Sequence, residues 1–274
     1  MDVKWLFFWV LAIGICNGQG DNMAALTALV KEMKEEISAM KSAMVSGFTS
    51  VCPLIAAQTK PKDCRDHQLL GKNVSGVYNI YLPESKEKKQ VFCDMETEGG
   101  GWTVIQKRRD GTQNFYTGYN DYEVGFGNVT SEHWLGNKNI YTITSNGEYE
   151  LLVVLTDFQN TTKKAKYSSF SLKGPTTSYE LEVSGYSGDA GDSLAFDHNG
   201  HAFSTADHDK DGSKDINCAQ KHHGGYWYSG CFKSNINGLW GKPGEQGIIW
   251  GSYHSWQMYV LKETTMMIRP TALN

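Results

Sequence analysis

The sequence predicts an α+β fold, in which a domain built around an antiparallel sheet follows a short helix of the coiled-coil type. Two observations predict it. Apolar residues near the N-terminus repeat at heptad spacing. From Cys64 onward, short β-prone runs alternate with turns rich in glycine, asparagine, aspartate and serine. The 274 residues are enough for one large domain behind that helix.

Residues 1–20 have the pattern of a secretory signal peptide. Lys4 precedes an apolar run from Trp5 to Ile15, which is too short to cross a bilayer as a helix. Small residues at Gly18 and Gly20 suit cleavage nearby. A membrane anchor is the alternative, and the length of the run disfavours it. No later stretch is long and apolar enough to span, so the sequence predicts a secreted, extracellular protein without a membrane span.

Residues 21–50 are predicted to form a coiled-coil oligomerisation helix. Proline is absent from this stretch until the linker begins. A helix of about three heptads is marginal alone in water, so we expect it to associate with copies of itself. The alternative is an amphipathic helix folded back on the domain. Spacings of four and three residues define the seam, which is formed by Leu26, Val30, Met33, Ile37, Met40 and Met44.

Residues 51–62, with two prolines, read as a linker. The chain has six cysteines, and removal of the signal peptide with Cys16 leaves an odd number in an oxidising compartment. Cys52 follows the heptads directly, so we expect it to pair between chains; a local pair with Cys64 is the alternative. Glycosylation sequons in the same chain fit secretion and begin at Asn73, Asn128 and Asn160.

The domain itself is predicted from its strand-like runs. These include "GVYNIYL", "WTVIQKR", "YELLVVLTDF", "SYELEVSGY" and "MMIRP", and a short helix is expected in "SEHWLGNKNIYTIT". The formal charge of −4 gives no sign of a nucleic-acid partner. Nucleophile-elbow, phosphate-loop and dinucleotide fingerprints are absent, so we expect a binding protein and not an enzyme.

An acidic run is the most informative motif. Asp207, Asp209 and Asp211 alternate and are followed by Gly212, and alternating carboxylates on a turning loop suit Ca²⁺. An EF-hand is excluded because its twelfth position, which needs glutamate, is Cys218. A catalytic zinc site is disfavoured because the nearby histidines lack ligand spacing; they are His198, His201, His208, His222 and His223.

Long ordered motifs then point to a family. The stretches "FCDMETEGGGWTVIQKRRDGTQNFY", "NFYTGYNDYEVGFGN" and "YWYSGCFKSNINGLW" resemble the fibrinogen C-terminal globular domain, and the resemblance runs from about Asp63 to Pro270. With a signal peptide and a short coiled coil, the chain is similar to secreted fibrinogen-related lectins of the tachylectin and ficolin-like group. The resemblance implies a fibrinogen-like domain over residues 63–274, with a central antiparallel sheet and a loop-rich calcium and ligand region.

The resemblance also implies the residues of two neighbouring sites. It pairs Cys64 with Cys93 and Cys218 with Cys231. It assigns calcium to the side chains of Asp209 and Asp211 and to carbonyl groups at Ser213 and Asp215, with Asp207 just outside the ligand set. It places a pocket for acetylated sugars beside the calcium loop, held open by a cis peptide at Gly230–Cys231. The pocket residues would be Lys221, His222, Tyr226, Trp227, Cys231, Phe232 and Trp256.

The expected function is therefore a secreted, calcium-dependent lectin of innate immunity that recognises glycans. His222 stands where the family often has tyrosine, and Phe232 where it commonly has histidine. Because Lys221, His222 and His223 add positive or protonatable groups, anionic glycans join acetylated sugars as candidates. The same groups argue against a fibrin-type pocket for a cationic peptide end. The alternatives are an extracellular ligand for a cell-surface receptor, as in the angiopoietin-like role, and a matrix or coagulation-type interaction.

Overall fold

The computed structural model describes residues 27–44, 60–83, 85–255 and 259–271. It divides the chain into two compact units, Met1–Thr59 and Lys60–Asn274. The predicted signal peptide, Cys52 and Trp256 lie outside the described residues. Within the part that is described, no helix is both long and apolar enough to cross a membrane.

The first unit contributes helix α1, described over residues 27–44. The chain is helical over this range, and its self-association stays a prediction. Its seam residues are largely exposed in the single chain: Met33 is 47% exposed, Ile37 49% and Met44 69%. Exposed apolar side chains in one line are the pattern expected of a helix that associates through that line.

The second unit contains short helices and longer strands. Its α-helices are α2 (Cys64–Leu69), α3 (Tyr119–Val124), α4 (Asn137–Thr144), α5 (Ala195–His198) and α6 (Cys218–His222). Single 3₁₀ turns lie at Thr97–Gly99, Pro175–Thr177 and Gly251–His254. The strands are β1 (Gly76–Tyr81), β2 (Lys88–Asp94), β3 (Trp102–Arg108), β4 (Phe126–Gly127), β5 (His133–Trp134), β6 (Tyr149–Thr156), β7 (Thr162–Leu172), β8 (Leu181–Gly188), β9 (Ser234–Asn235), β10 (Ile249–Trp250) and β11 (Glu263–Pro270).

The main sheet is antiparallel, as predicted. In the described residues its strand order is β1-β2-β3-β11-β6-β7-β8, with β5 paired to β3 and β4 to β5. The last strand therefore lies in the centre, where Met267 pairs with Val104 on one side and Leu152 on the other. A bulge interrupts the β11–β3 register after Met266. This topology leaves the residues between β8 and β11 to form one long segment outside the main sheet.

The two faces of the sheet are covered differently. One face packs on the large core, which includes Ile105, Leu151 and Val153. The other carries a small cluster around Trp102, whose ring is covered by the Arg269 guanidinium at 4.1 Å from its centre. The long segment between β8 and β11 packs its buried aromatic side chains on the large core and forms the site described below.

Candidate ligand-binding site

The site is organised around helix α6 and the disulfide that closes the loop after it. The side chain of Asn217 caps α6 by accepting a hydrogen bond from the N–H of Gln220 at 2.8 Å. Cys218, the first residue of α6, is joined to Cys231, and Cys64 is joined to Cys93 near the start of the domain. These are the pairs that the resemblance implies.

A cavity of about 370 Å³ opens beside the Cys218–Cys231 disulfide. This volume lies within the range of small-ligand pockets. Four of the predicted pocket residues line it: Lys221, His222, Cys231 and Phe232. Gly230, which the resemblance placed next to the pocket, also lines it, and the structure adds lining residues that the sequence did not single out, namely Asp197, Ile216, Ser229, Lys233 and Glu245.

One wall of the cavity is aromatic. The rings of His222 and Phe232 meet edge to face, with centroids 4.6 Å apart. Burial, together with the charge of Lys221, lowers the pKa of His222 below its ordinary value. This histidine is only 2% exposed. It is therefore neutral at physiological pH and presents a ring rather than a charge.

The charges around the cavity are mixed. The Lys221 ammonium lies 3.5 Å from the carboxylate of Glu245, and Asp197 adds a second carboxylate to the lining. The hydroxyl of Ser229 donates to Asp197 at 2.6 Å and fixes its position. Because Lys221 is paired and His222 is neutral, the positive rim that the sequence suggested is offset by nearby acids.

The acidic loop comes just before α6 in the chain and hydrogen-bonds to its first residue, Cys218. Asp211 accepts hydrogen bonds from the N–H groups of Ser213 at 2.8 Å and Cys218 at 2.7 Å. Burial raises the pKa of Asp211 above its ordinary value; the hydrogen bonds from Cys218 and Ser213 oppose this, and the charge of Asp209 adds to it. Among the described residues no lysine, arginine or histidine forms an ion pair with Asp209, Asp211 or Asp215. Two carboxylates thus stand close together without a protein cation.

The loop offers oxygen donors of the type that Ca²⁺ takes in proteins. Within the described residues, the carbonyl oxygens of Ser213 and Asp215 accept no hydrogen bond, so their lone pairs are open to a cation. In the same part of the chain, no three side chains of His, Cys, Asp or Glu converge as a metal centre. A cation here would depend on these carbonyl groups as well as on Asp209 and Asp211, which is the hard oxygen set that Ca²⁺ takes.

Asp207 makes its hydrogen bonds away from Asp209 and Asp211. Its carboxylate accepts hydrogen bonds from the N–H of Tyr119 at 3.0 Å and from the hydroxyl of Thr205 at 2.6 Å. The Thr205 hydrogen bond is the first cause that lowers the pKa of Asp207. Asp207 therefore ties the loop to the start of α3.

The acidic loop and the cavity are physically connected. The N–H of Gly212 donates to the carbonyl of Ser229, a lining residue, at 2.7 Å. A side chain at Gly212 would meet that carbonyl at 2.8 Å, so glycine is required for the approach. The Cys218–Cys231 disulfide makes a second link between the loop and the wall. A change in the conformation of the loop should therefore alter the wall of the cavity.

His198 supports the cavity from behind. Its Nδ1 bonds to the carbonyl of Trp227 at 2.7 Å, and its Nε2 accepts the N–H groups of Lys233 and Ser234. Complete burial lowers the pKa of His198 to about 4. Neutral His198 is thus the form that holds the chain after Phe232 in place.

Three implications of the resemblance are corrected. Tyr226 and Trp227 are both 0% exposed and belong to the core, so they cannot touch a ligand. The indole of Trp227 instead donates to the carbonyl of Tyr179 at 2.9 Å. No cis peptide occurs in the described residues, so the Gly230–Cys231 bond is trans.

Sequence reasoning missed the residues that come from distant segments. Asp197 belongs to α5, and Glu245 lies in the loop before β10. For Glu245 the available signal is the glycine- and proline-rich stretch around it, which marks a loop. For Asp197 and His198 the sequence carries no signal, because only the tertiary fold brings α5 to the cavity.

With the geometry in place, the comparisons with known proteins decide the family. The family model described as "Fibrinogen beta and gamma chains, C-terminal globular domain" matches residues 60–271. The chain belongs to this family. The match begins at Lys60, which is also where the second compact unit begins, three residues before the predicted boundary at Asp63.

Individual relatives support the same family assignment. Fibrinogen C domain-containing protein 1-A of Xenopus laevis is 44% identical over 77% of this chain and 48% of its own length. Human angiopoietin-related protein 6 is 36% identical over 96% of this chain and 57% of its own length. The chain thus spans about half the length of the curated relatives it matches.

Solved structures confirm the fold. The fibrinogen-like globe domain of human ANGPTL6 superposes with a TM-score of 0.73 at 40% identity and covers 79% of this chain and 100% of that one. Lamprey fibrin D-dimer, complexed with the peptide ligand Gly-His-Arg-Pro-amide, gives a TM-score of 0.71 at 30% identity. It covers 99% of this chain and 95% of that chain.

Proposed function

We propose that the chain acts outside the cell as a ligand that binds a protein on a cell surface, and that it binds rather than catalyses. The observation that carries this proposal is the similarity to human angiopoietin-related protein 6, which extends over 96% of the chain. The likeness therefore reaches beyond residues 60–271, which the domain family covers. The two disulfides are of the kind that persist in an oxidising compartment.

The binding face would include the cavity beside Cys218–Cys231 and its apolar rim. Ile216 lines the cavity and is 42% exposed, and Phe196, next to Asp197 in the chain, is 68% exposed. Exposed large apolar side chains next to charges of both signs are typical of protein interaction surfaces. The case for the predicted sugar pocket is weaker, because two of its aromatic residues, Tyr226 and Trp227, are buried.

Two features extend this proposal. The exposed seam of α1 supports self-association of secreted chains, with Cys52 as the interchain thiol. The loop at Asp209 and Asp211 supports one bound calcium ion, which would supply positive charge to neighbouring carboxylates and rigidify the loop. Through Gly212 and the disulfide, the ordered loop would then keep the cavity wall in one arrangement. The sequons at Asn73, Asn128 and Asn160 are exposed and so accessible to glycosylation.

A calcium-dependent lectin is the second candidate. One observation favours it: the cavity has the volume of a small-ligand pocket and lies directly against the acidic loop. Acetylated or anionic sugars on microbial or host surfaces would then be the ligands, bound against His222 and Phe232.

One experiment separates the two candidates. The fluorescent full chain is bound to cultured cells that are untreated, stripped of surface protein by trypsin, or treated with glycosidases. In parallel it is applied to a glycan array with calcium and with EDTA. Saturable cell binding that trypsin removes and glycosidases spare supports the receptor ligand. Array binding that EDTA abolishes, with cell binding lost to glycosidases, contradicts it in favour of the lectin.

A further inference from the structure

A second cavity, of about 280 Å³, lies where the chain enters the globular domain. Three lysines line it: Lys60, Lys62 and Lys86. The other side of its lining includes Tyr81 and Leu82 of the β1 end. We call it the Lys60 cavity. It shares no lining residue with the cavity beside Cys218–Cys231.

The backbone around the Lys60 cavity is fixed. The N–H of Tyr81 donates to the carbonyl of Pro61 at 2.7 Å, which ties the entering segment to the edge of the sheet. In the turn between β1 and β2, the N–H of Lys86 donates to the carbonyl of Leu82 at 2.9 Å. Backbone hydrogen bonds therefore fix the chain at Lys86 and at Pro61, which lies between Lys60 and Lys62.

Among the described residues that line this cavity, three are lysines and none is a carboxylate. No described carboxylate lies within ion-pair distance of the Lys60, Lys62 or Lys86 ammonium groups, although Lys173 is paired in this way with Glu180. The Lys60 ammonium instead lies 5.2 Å from the centre of the Tyr81 ring. Lys88 is the cross-strand partner of Tyr81 in the β1–β2 register and adds a further cation nearby. Three lysines around one cavity make its surface positive, and a positive surface attracts an anion.

We propose that the Lys60 cavity binds the sulfate groups of an extracellular sulfated polysaccharide. Each lysine offers three N–H donors, and a sulfate offers several acceptor oxygens at once. The apolar surface of Tyr81 and Leu82 suits the faces of sugar rings next to the sulfate. A polyanionic chain can also contact Lys88, which a single small anion in the cavity cannot. The inference does not depend on what the cavity beside Cys218–Cys231 binds.

The test uses the full chain and a heparin-derived octasaccharide as the sulfated probe. Titration calorimetry at physiological salt compares the wild type with the Lys62→Gln/Lys86→Gln variant. Its matched control is Lys138→Gln/Lys242→Gln, which removes the same charge from exposed positions elsewhere. We expect the first variant to bind about tenfold more weakly and the control to bind like the wild type. Lys62→Arg/Lys86→Arg, which keeps the charge, should retain most of the affinity.

Further arms decide the chemistry of the ligand. The fully desulfated octasaccharide should not bind, and vesicles containing phosphatidylserine should compete poorly. Equal loss in the two glutamine variants would overturn the proposal, because binding would then follow net charge alone. Stronger binding to the vesicles than to the octasaccharide would also overturn it and would assign the cavity to a lipid surface. Thermal melting of each variant verifies that a loss of binding does not come from unfolding.

Discussion

The Nε2 atom of His198 accepts a hydrogen bond from the N–H of Ser234 at 3.0 Å. The neighbouring N–H of Lys233 donates to the same atom at 3.1 Å. A protonated imidazole has no lone pair to accept either bond. The wall of the cavity beside Cys218–Cys231 therefore depends on the neutral form of one buried histidine.

This relationship predicts a pH dependence of stability. Burial lowers the pKa of His198 to about 4 from an ordinary value of 6.5, and the Trp227 carbonyl and the Asp197 charge oppose the shift without cancelling it. Since the unfolded chain binds the proton more readily, stability is full above pH 6.5 and falls as the pH drops toward 4. His198 should contribute a loss of about 2 kcal/mol between pH 7 and pH 5. Urea unfolding at both pH values measures it.

The control is His198→Gln, which cannot be protonated in this range. It should be less stable than the wild type at pH 7, yet lose about 2 kcal/mol less between pH 7 and pH 5. Equal losses in both proteins would show that other groups cause the acid sensitivity.

A second prediction concerns the buried pair of Arg108 and Glu132, whose side chains are 2% and 0% exposed. Burial raises the pKa of Glu132, but hydrogen bonds from the N–H groups of Gln113 and Arg109 and the charge of Arg108 outweigh it. The pKa of Glu132 therefore lies below its ordinary value. Glu132→Ala leaves the Arg108 charge buried and should lower the free energy of unfolding by about 3 to 5 kcal/mol. Glu180→Ala, which breaks a partly exposed ion pair with Lys173, should change the urea midpoint little, and similar losses in the two variants would refute the argument.

A third prediction tests calcium in the acidic loop. At calcium about a hundredfold above its Kd, the melting temperature of the wild type should rise by roughly 5 to 10 °C over that in EDTA. Asp209→Asn removes a ligand charge and should abolish most of that rise. Asp207→Asn should lower the melting temperature in both buffers but keep the rise, because Asp207 bonds to Tyr119 and Thr205. A wild type that melts identically in calcium and EDTA has no such site.

A fourth prediction concerns the exposed seam of α1. Ile37→Lys places a charge at a seam position that is 49% exposed in the single chain, and it should convert oligomers to monomers. Glu36→Lys on the polar face serves as the control and should leave the oligomer intact. Sedimentation velocity reports the mass of each variant. Non-reducing gels of Cys52→Ser should show the loss of covalent oligomers, and a monomeric wild type in both assays would exclude self-association.

The sequence predicted the strands that are rich in apolar and β-branched residues and missed a strand dominated by lysine and serine. β3 and β6 lie among the quoted β-prone runs because both of their faces are apolar. β7, "TKKAKYSSFSL", is not among those runs, because Lys164 and Lys166 cover its solvent face and serines occupy much of the rest. The insertion of β11 between β3 and β6 is a long-range pairing that local propensity cannot encode.

The residues of the candidate site could also be predicted only in part. Lys221, His222 and Phe232 could be placed because they flank a motif around a disulfide. Tyr226 and Trp227 stand in the same motif but turn into the core, since an irregular segment has no periodicity that separates its two sides. Asp197, His198 and Glu245 reach the cavity only through tertiary packing.

The most direct test of the account is cell binding of the full chain by a variant of the cavity rim. Ile216→Asp replaces an exposed apolar lining residue by a charge, and Val124→Asp makes the same change at a residue of α3 that is 50% exposed. Saturation binding to trypsin-sensitive sites is measured for both variants and the wild type. The account predicts that Ile216→Asp weakens binding about tenfold or more while Val124→Asp binds like the wild type. Undiminished binding by Ile216→Asp would contradict the assignment of this cavity as the partner-binding face.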